Sequence, residues 1–118
     1  MSWSTTRCEG PLMQIDARQL ADRLAAGQPV HLVDIRQPWE HETAALPGSQ
    51  LVPLDQLAAR AAEIQPAPDA LVVVYCHHGI RSQAGAAILR QLGFESAVSL
   101  AGGIDAWSLQ VDPRVPRY

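Results

Sequence analysis

Two cysteines in 118 residues are too few for a disulfide framework. No apolar run approaches the length that would cross a bilayer, and the first dozen residues lack the apolar core of a secretory signal. Positive charge is also scarce: nine Lys+Arg against twelve Asp+Glu leave a formal net charge of −3, without the basic surface that nucleic acid or an anionic membrane would require. There is no internal repeat and no low-complexity tract. These absences point to a soluble, cytoplasmic protein whose thiols are free. The composition, 47% hydrophobic and 18% charged, is enough for a single core without a metal or disulfide staple.

Along the chain, residues 1–12 read as a polar leader closed by Gly10-Pro11, with Met13 a possible natural start and Cys8 a bystander thiol. The domain proper is expected over residues 13–110, followed by an extended tail at 111–118 that packs on the domain or on a neighbour. Met13-Gln14-Ile15 suits a very short strand. Asp16 offers an N-cap with Gln19 three residues on, and Leu20 and Leu24 recur at helical spacing until Gly27. Residues 30–36 form a second strand with a polar end, and one helical turn is expected near residues 39–42. Pro53 with Leu54, Leu57, Ala61 and Ile64 predicts a helix over 53–64 that Pro66 must stop. A strand over 94–100 and a short helix over 104–109 complete the pattern. Strands alternating with helices predict an α/β fold, a mostly parallel central sheet with helices on both faces.

The chemistry concentrates in one stretch. Leu71-Val72-Val73-Val74-Tyr75 is an uninterrupted apolar run of the kind buried on both faces of a sheet, and it leads into Cys76-His77-His78-Gly79-Ile80-Arg81-Ser82 and then a helix. A helix start leaves backbone N–H groups unpaired and carries partial positive charge, so a cysteine placed there is pushed toward thiolate. Cys76 to Ser82 contains no carboxylate, and Arg81 is a cation set against the local helix dipole, as an anion site would need. Each residue also has a plainer reading: Cys76 as a small core residue, Arg81 as a surface charge, His77 and His78 as solvent-facing loop residues with no further metal-ligand partner at useful spacing.

Five motifs in order resemble those of a single-domain rhodanese. They are Val33-Asp34-Ile35-Arg36-Gln37-Pro38-Trp39-Glu40, Leu46-Pro47-Gly48, Tyr75-Cys76-His77-His78-Gly79-Ile80-Arg81-Ser82, Gly93-Phe94, and Gly102-Gly103-Ile104-Asp105-Ala106-Trp107. The resemblance implies a rhodanese-like fold and a sulfurtransferase that takes a sulfane sulfur from thiosulfate, or from a persulfide donor, holds it on Cys76 and passes it to a thiophilic acceptor. Cyanide, a thiol, thioredoxin or a sulfur-relay protein would serve as acceptor. By the same carry-over, Cys76 is the nucleophile, and the backbone of His77, His78, Gly79, Ile80, Arg81 and Ser82, with the Arg81 side chain, cradles the persulfide and the departing sulfite. Asp34, Arg36 and Glu40 would support the loop as a buried ion-pair network, and Trp39 and Trp107 would pack. No metal or organic cofactor is needed.

Two alternatives belong to other classes. A phosphatase or arsenate reductase would need a wider loop, and only four residues separate Cys76 from Arg81. A non-catalytic binding or regulatory module would not require the cysteine that this chain keeps. The chain departs from the family at Ala44-Ala45-Leu46-Pro47-Gly48-Ser49, where a histidine is usual, which leaves local hydrogen bonding open. Its loop also differs from the mercaptopyruvate type, which favours an inorganic donor.

Overall fold

The computed structural model describes residues 13–118, so the expectations for the leader and for Cys8 lie outside the described residues. Five strands form one parallel sheet in the order β1-β5-β4-β2-β3, with β1 Gln14–Ile15, β2 Val30–Asp34, β3 Gln50–Leu51, β4 Leu71–Tyr75 and β5 Val98–Leu100. The connecting helices are α1 Ala17–Ala25, α2 Pro38–Thr43, α3 Arg81–Gln91 and α4 Gly103–Gln110. This is the α/β architecture that the alternating pattern predicts. Among the described residues no helix is long and apolar enough to cross a membrane.

The strand period of two sorts side chains between two cores. Val73 and Tyr75 face α1, α4 and the tail, packing with Leu20, Leu100, Ile104, Trp107 and Val115. Val72, Val74 and Cys76 face α3, packing with Ile35, Val52, Leu57, Ala86 and Leu89. The parity of β4 therefore directs Cys76 toward the start of α3. Val73, Val74 and Tyr75 have no solvent exposure, and each such side chain contributes about 1.5–3 kcal/mol by leaving water.

The α1 capping box forms as expected: Gln19 N–H donates to Asp16 Oδ1 at 2.7 Å and Asp16 N–H to Gln19 Oε1 at 3.0 Å. Other expectations are corrected. Strand β2 ends at Asp34 rather than residue 36, because Asp34 Oδ1 accepts from Arg36 N–H at 2.9 Å and turns the chain off the sheet. Strand β5 begins only at Val98, since residues 94–97 close a turn in which Ala97 N–H donates to Phe94 O.

The helix expected over 53–64 is instead two short 3₁₀ segments, Leu54–Gln56 and Ala61–Glu63. Leu57 and Ile64 must both reach the second core, and 3₁₀ backbone covers more length per residue than an α-helix. Burial there overrides good local helix propensity. Trp39 is 61% exposed rather than packed, whereas Trp107 is buried. At the second position of a six-residue helix, Trp39 points away from the sheet while its turn-mate Glu40 points in.

Candidate active site

The Cys76 thiol is a free cysteine, 1% exposed, at the carboxyl end of the sheet's central strand. Its Sγ accepts hydrogen bonds from the Gly79 N–H at 3.2 Å and the Ser82 N–H at 3.3 Å, and lies 3.5 Å from Ser82 Oγ. Ser82 sits in the first turn of α3, where backbone donors have no intrahelical partner, and the cap residue Ile80 supplies no side-chain bond. The sulfur thus occupies the place of a capping acceptor. Ser82 Oγ also pairs with Ser99 Oγ of β5 at 2.7 Å, which anchors the helix start to the sheet.

Two glycines make this geometry possible. Gly79 turns its amide toward the sulfur at φ +93°, where an added Cβ would lie 2.8 Å from the Gly102 nitrogen. Gly103, at φ +61°, lets the start of α4 press against the loop, since a Cβ there would meet the carbonyls of Cys76 and His77. The amides of Ile104 and Asp105 then bind those same carbonyls at 2.9 and 3.1 Å. The Gly-Gly-Ile-Asp motif therefore serves as the floor of the cysteine loop.

A second tier surrounds the mouth. Arg36, fully buried, makes a bidentate pair with Asp34 through Nε to Oδ1 at 2.8 Å and Nη2 to Oδ2 at 2.7 Å, and also donates to the Ala44 carbonyl. Its Nη1 donates to the Tyr118 hydroxyl at 2.6 Å, and that hydroxyl donates to Glu40 Oε2 at 2.7 Å. Glu40 in turn receives both Arg81 Nη atoms at 3.1 Å and the Gln37 N–H at 3.0 Å. Burial alone would raise the Glu40 pKa, but the bonds from Arg81, Gln37 and Tyr118 outweigh it and hold the carboxyl at about 2. Burial likewise opposes the charge on Arg36, and its bonds to Asp34 and Tyr118 prevail and keep it protonated.

The sequence-nominated residues thus converge at one edge of the sheet, with differing roles. Gly79 and Ser82 contribute amides to the sulfur, and Ile80 is 78% exposed with its side chain outward. Arg81 is shared with Glu40, a carboxylate brought to the loop from α2, so its charge is partly offset there. His78 is exposed as expected, but His77 is half-buried and stacked between His78 and Tyr118, each at a centroid distance of 4.0 Å. His77, His78 and Asp105 place donor atoms within 4.8 Å of one another, close enough to consider a metal ion, but Asp105 is already paired with Arg117 at 2.8 Å.

Two residues were not legible in the sequence. His41 of α2 joins the buried pair beneath it, its Nδ1 lying 2.8 Å from Asp34 Oδ2. Tyr118 belongs to the tail and meets Arg36 and Glu40 across most of the chain's length; nothing in a tail sequence announces such a contact.

The structure thus places a cysteine in a short loop between the sheet's central strand and the next helix, with two backbone amides turned to its sulfur. The chain belongs to the rhodanese-like domain family, whose model matches residues 16–110. It is 39% identical over 95 residues to a sulfurtransferase of Allochromatium vinosum, covering 80% of this chain and 87% of that protein. It is also 35% identical over 104 residues to the probable adenylyltransferase/sulfurtransferase MoeZ of Mycobacterium tuberculosis, of which it spans only 26% while 88% of this chain is covered. A rhodanese-related protein from Thermoplasma volcanium has a similar structure, with a TM-score of 0.72, 28% identity and coverage of 83% of this chain and 92% of that one.

Proposed function

We propose that this domain is a sulfurtransferase that carries a sulfane sulfur as a persulfide on Cys76. The observation that carries this reading is the pair of amides from Gly79 and Ser82 aimed at a nearly buried Sγ. Such donors stabilise the thiolate and then the charge on a departing oxyanion. In the loading step the thiolate attacks the outer sulfur of thiosulfate. A new S–S bond forms as the original one breaks, and sulfite leaves with the electron pair. In the second step a nucleophile attacks the terminal sulfur and regenerates the thiolate: cyanide gives thiocyanate, and a thiol gives a new persulfide.

Thiosulfate is favoured as donor because the loop from Cys76 to Ser82 carries no carboxylate of its own and turns the Gly79 and Ser82 amides toward the sulfur, although Glu40 shares the Arg81 charge. A protein in a sulfur relay is a reasonable acceptor, because several similar proteins, MoeZ among them, join a sulfurtransferase to an adenylyltransferase in one chain. The test is intact mass after incubation with thiosulfate, with a cyanide chase, on wild type and Cys76→Ser. One added sulfur that cyanide removes, and that the serine variant never acquires, is expected. Wild type that takes up no sulfur from thiosulfate or from a persulfide donor would end the sulfurtransferase reading.

A further inference from the structure

Tyr118 plays no part in the sulfur chemistry above, yet it touches more of the mouth than any other tail residue. Arg36 Nη1 donates to its oxygen at 2.6 Å, so its single proton is directed to Glu40 Oε2, 2.7 Å away. Glu40 is the carboxylate that grips both ends of the Arg81 guanidinium. The ring lies parallel to His77 at 4.0 Å and 7°, with the Arg36 guanidinium 5.5 Å from its centroid and Trp39 edge-on at 5.8 Å. The tail that delivers it is fixed at two further points, through the Val115 carbonyl, which accepts from Ser108 Oγ at 2.6 Å, and through the Arg117–Asp105 pair.

We propose that Tyr118 is a positioning residue, its hydroxyl fixing the Glu40–Arg81 pair and its ring fixing His77, so that the sulfur donor meets a preset guanidinium and imidazole beside Cys76. The ring and the hydroxyl carry separate parts of this role. Burial pushes the Tyr118 hydroxyl up to about 12, which keeps it a proton donor to Glu40 at neutral pH. Burial, followed by the neighbouring His78, lowers the His77 pKa. The groups facing His77 are His78, Asp105, Glu40, Arg36 and Tyr118 itself.

The inference rests on the sulfurtransferase reading, and Tyr118→Phe and Tyr118→Ala separate its two parts. The measurements are steady-state thiosulfate–cyanide kinetics and an NMR titration of the His77 ring. Tyr118→Phe keeps the stack and loses both hydrogen bonds. It is expected to raise the KM for thiosulfate roughly three- to tenfold, less than for a bond made to the donor itself because the hydroxyl acts through Glu40 and Arg81, with little change in kcat and no change in the His77 titration. Tyr118→Ala is expected to show the same rise in KM and to move the His77 titration upward toward that of a free imidazole. Wild-type KM in Tyr118→Phe, or an unmoved His77 titration in Tyr118→Ala, would overturn the proposal while wild type still loads sulfur. Failure of wild type to load would remove the parent reading, and this inference with it.

Discussion

Replacing Gly79 with alanine tests the cradle most directly, because the structure fixes both the strain and its chemical effect. The residue holds φ +93°, a conformation that costs an L-residue about 1–2 kcal/mol. Its new Cβ would lie 2.8 Å from the Gly102 nitrogen and 3.2 Å from the Leu100 carbonyl, backbone atoms that cannot swing aside. Overpacking of this kind adds about 1–3 kcal/mol, and the lower unfolded-state entropy of alanine returns less than about 1 kcal/mol. A net loss of about 1–4.5 kcal/mol is expected, below the total stability of most domains of this size. Relief requires the loop to move, and the Gly79 N–H then leaves the sulfur. A hydrogen bond to a charged group contributes about 1.5–3 kcal/mol, so Cys76 should load sulfur roughly 10- to 100-fold more slowly. Gly93 is the matched control: φ is +104°, but nothing lies within 4 Å of an added Cβ. Gly93→Ala should lose only the backbone term and load at the wild-type rate. The assays are thermal melting and time-resolved intact mass in thiosulfate. A Gly79→Ala protein that loads sulfur as fast as Gly93→Ala would refute the role given to this amide.

Other perturbations follow from the second tier. Arg36→Leu removes both guanidinium bonds from buried Asp34 and leaves it only His41 and the residue-36 amide, for a loss of about 3–5 kcal/mol and a fall of roughly 10–20 °C in Tm; a shift of only a few degrees would contradict the pairing. Glu40 is held at about 2 in the fold rather than 4.5, so it contributes roughly 3 kcal/mol that is fully present above pH 4.5 and lost as pH falls toward 2. Acid unfolding of Glu40→Gln should therefore be flatter than that of wild type between about pH 5 and 2, and superimposable curves would discount the network. Ser82→Ala removes the hydroxyl shared with Ser99, with an expected loss of about 1–2 kcal/mol by urea unfolding and slower sulfur loading; unchanged stability would mean that the pair is incidental.

What could be read from the sequence follows the range of the interactions involved. The central strand, its cysteine and the following helix are local patterns, and each appears within a residue of its expected place. The α1 capping box is also local and forms as read. The segment between Pro53 and Pro66 has the residues of a helix, but its shape is set by where Leu57 and Ile64 must be buried, and spacing does not encode that distance. Trp39 and Glu40 are adjacent with opposite fates, because the orientation of α2 depends on the loop it covers. Tyr118 and His41 lay beyond sequence reading for the same reason: each completes a hydrogen bond whose partner is brought near only by the finished fold.

The placing of β4 in the middle of the sheet has a consequence for how the molecule opens. Its amides are bonded into neighbours on both sides, whereas β1 and β3 are two-residue edge strands. In native-state hydrogen exchange the amides of residues 72–75 should be among the last to exchange, requiring near-global unfolding, while the edges exchange through local fraying. The Cys76 sulfur would then be tethered to the segment expected to exchange last. Fluctuations that release either edge of the sheet should therefore leave the Cys76 sulfur and the amides around it assembled, and loss of the site should coincide with loss of the fold.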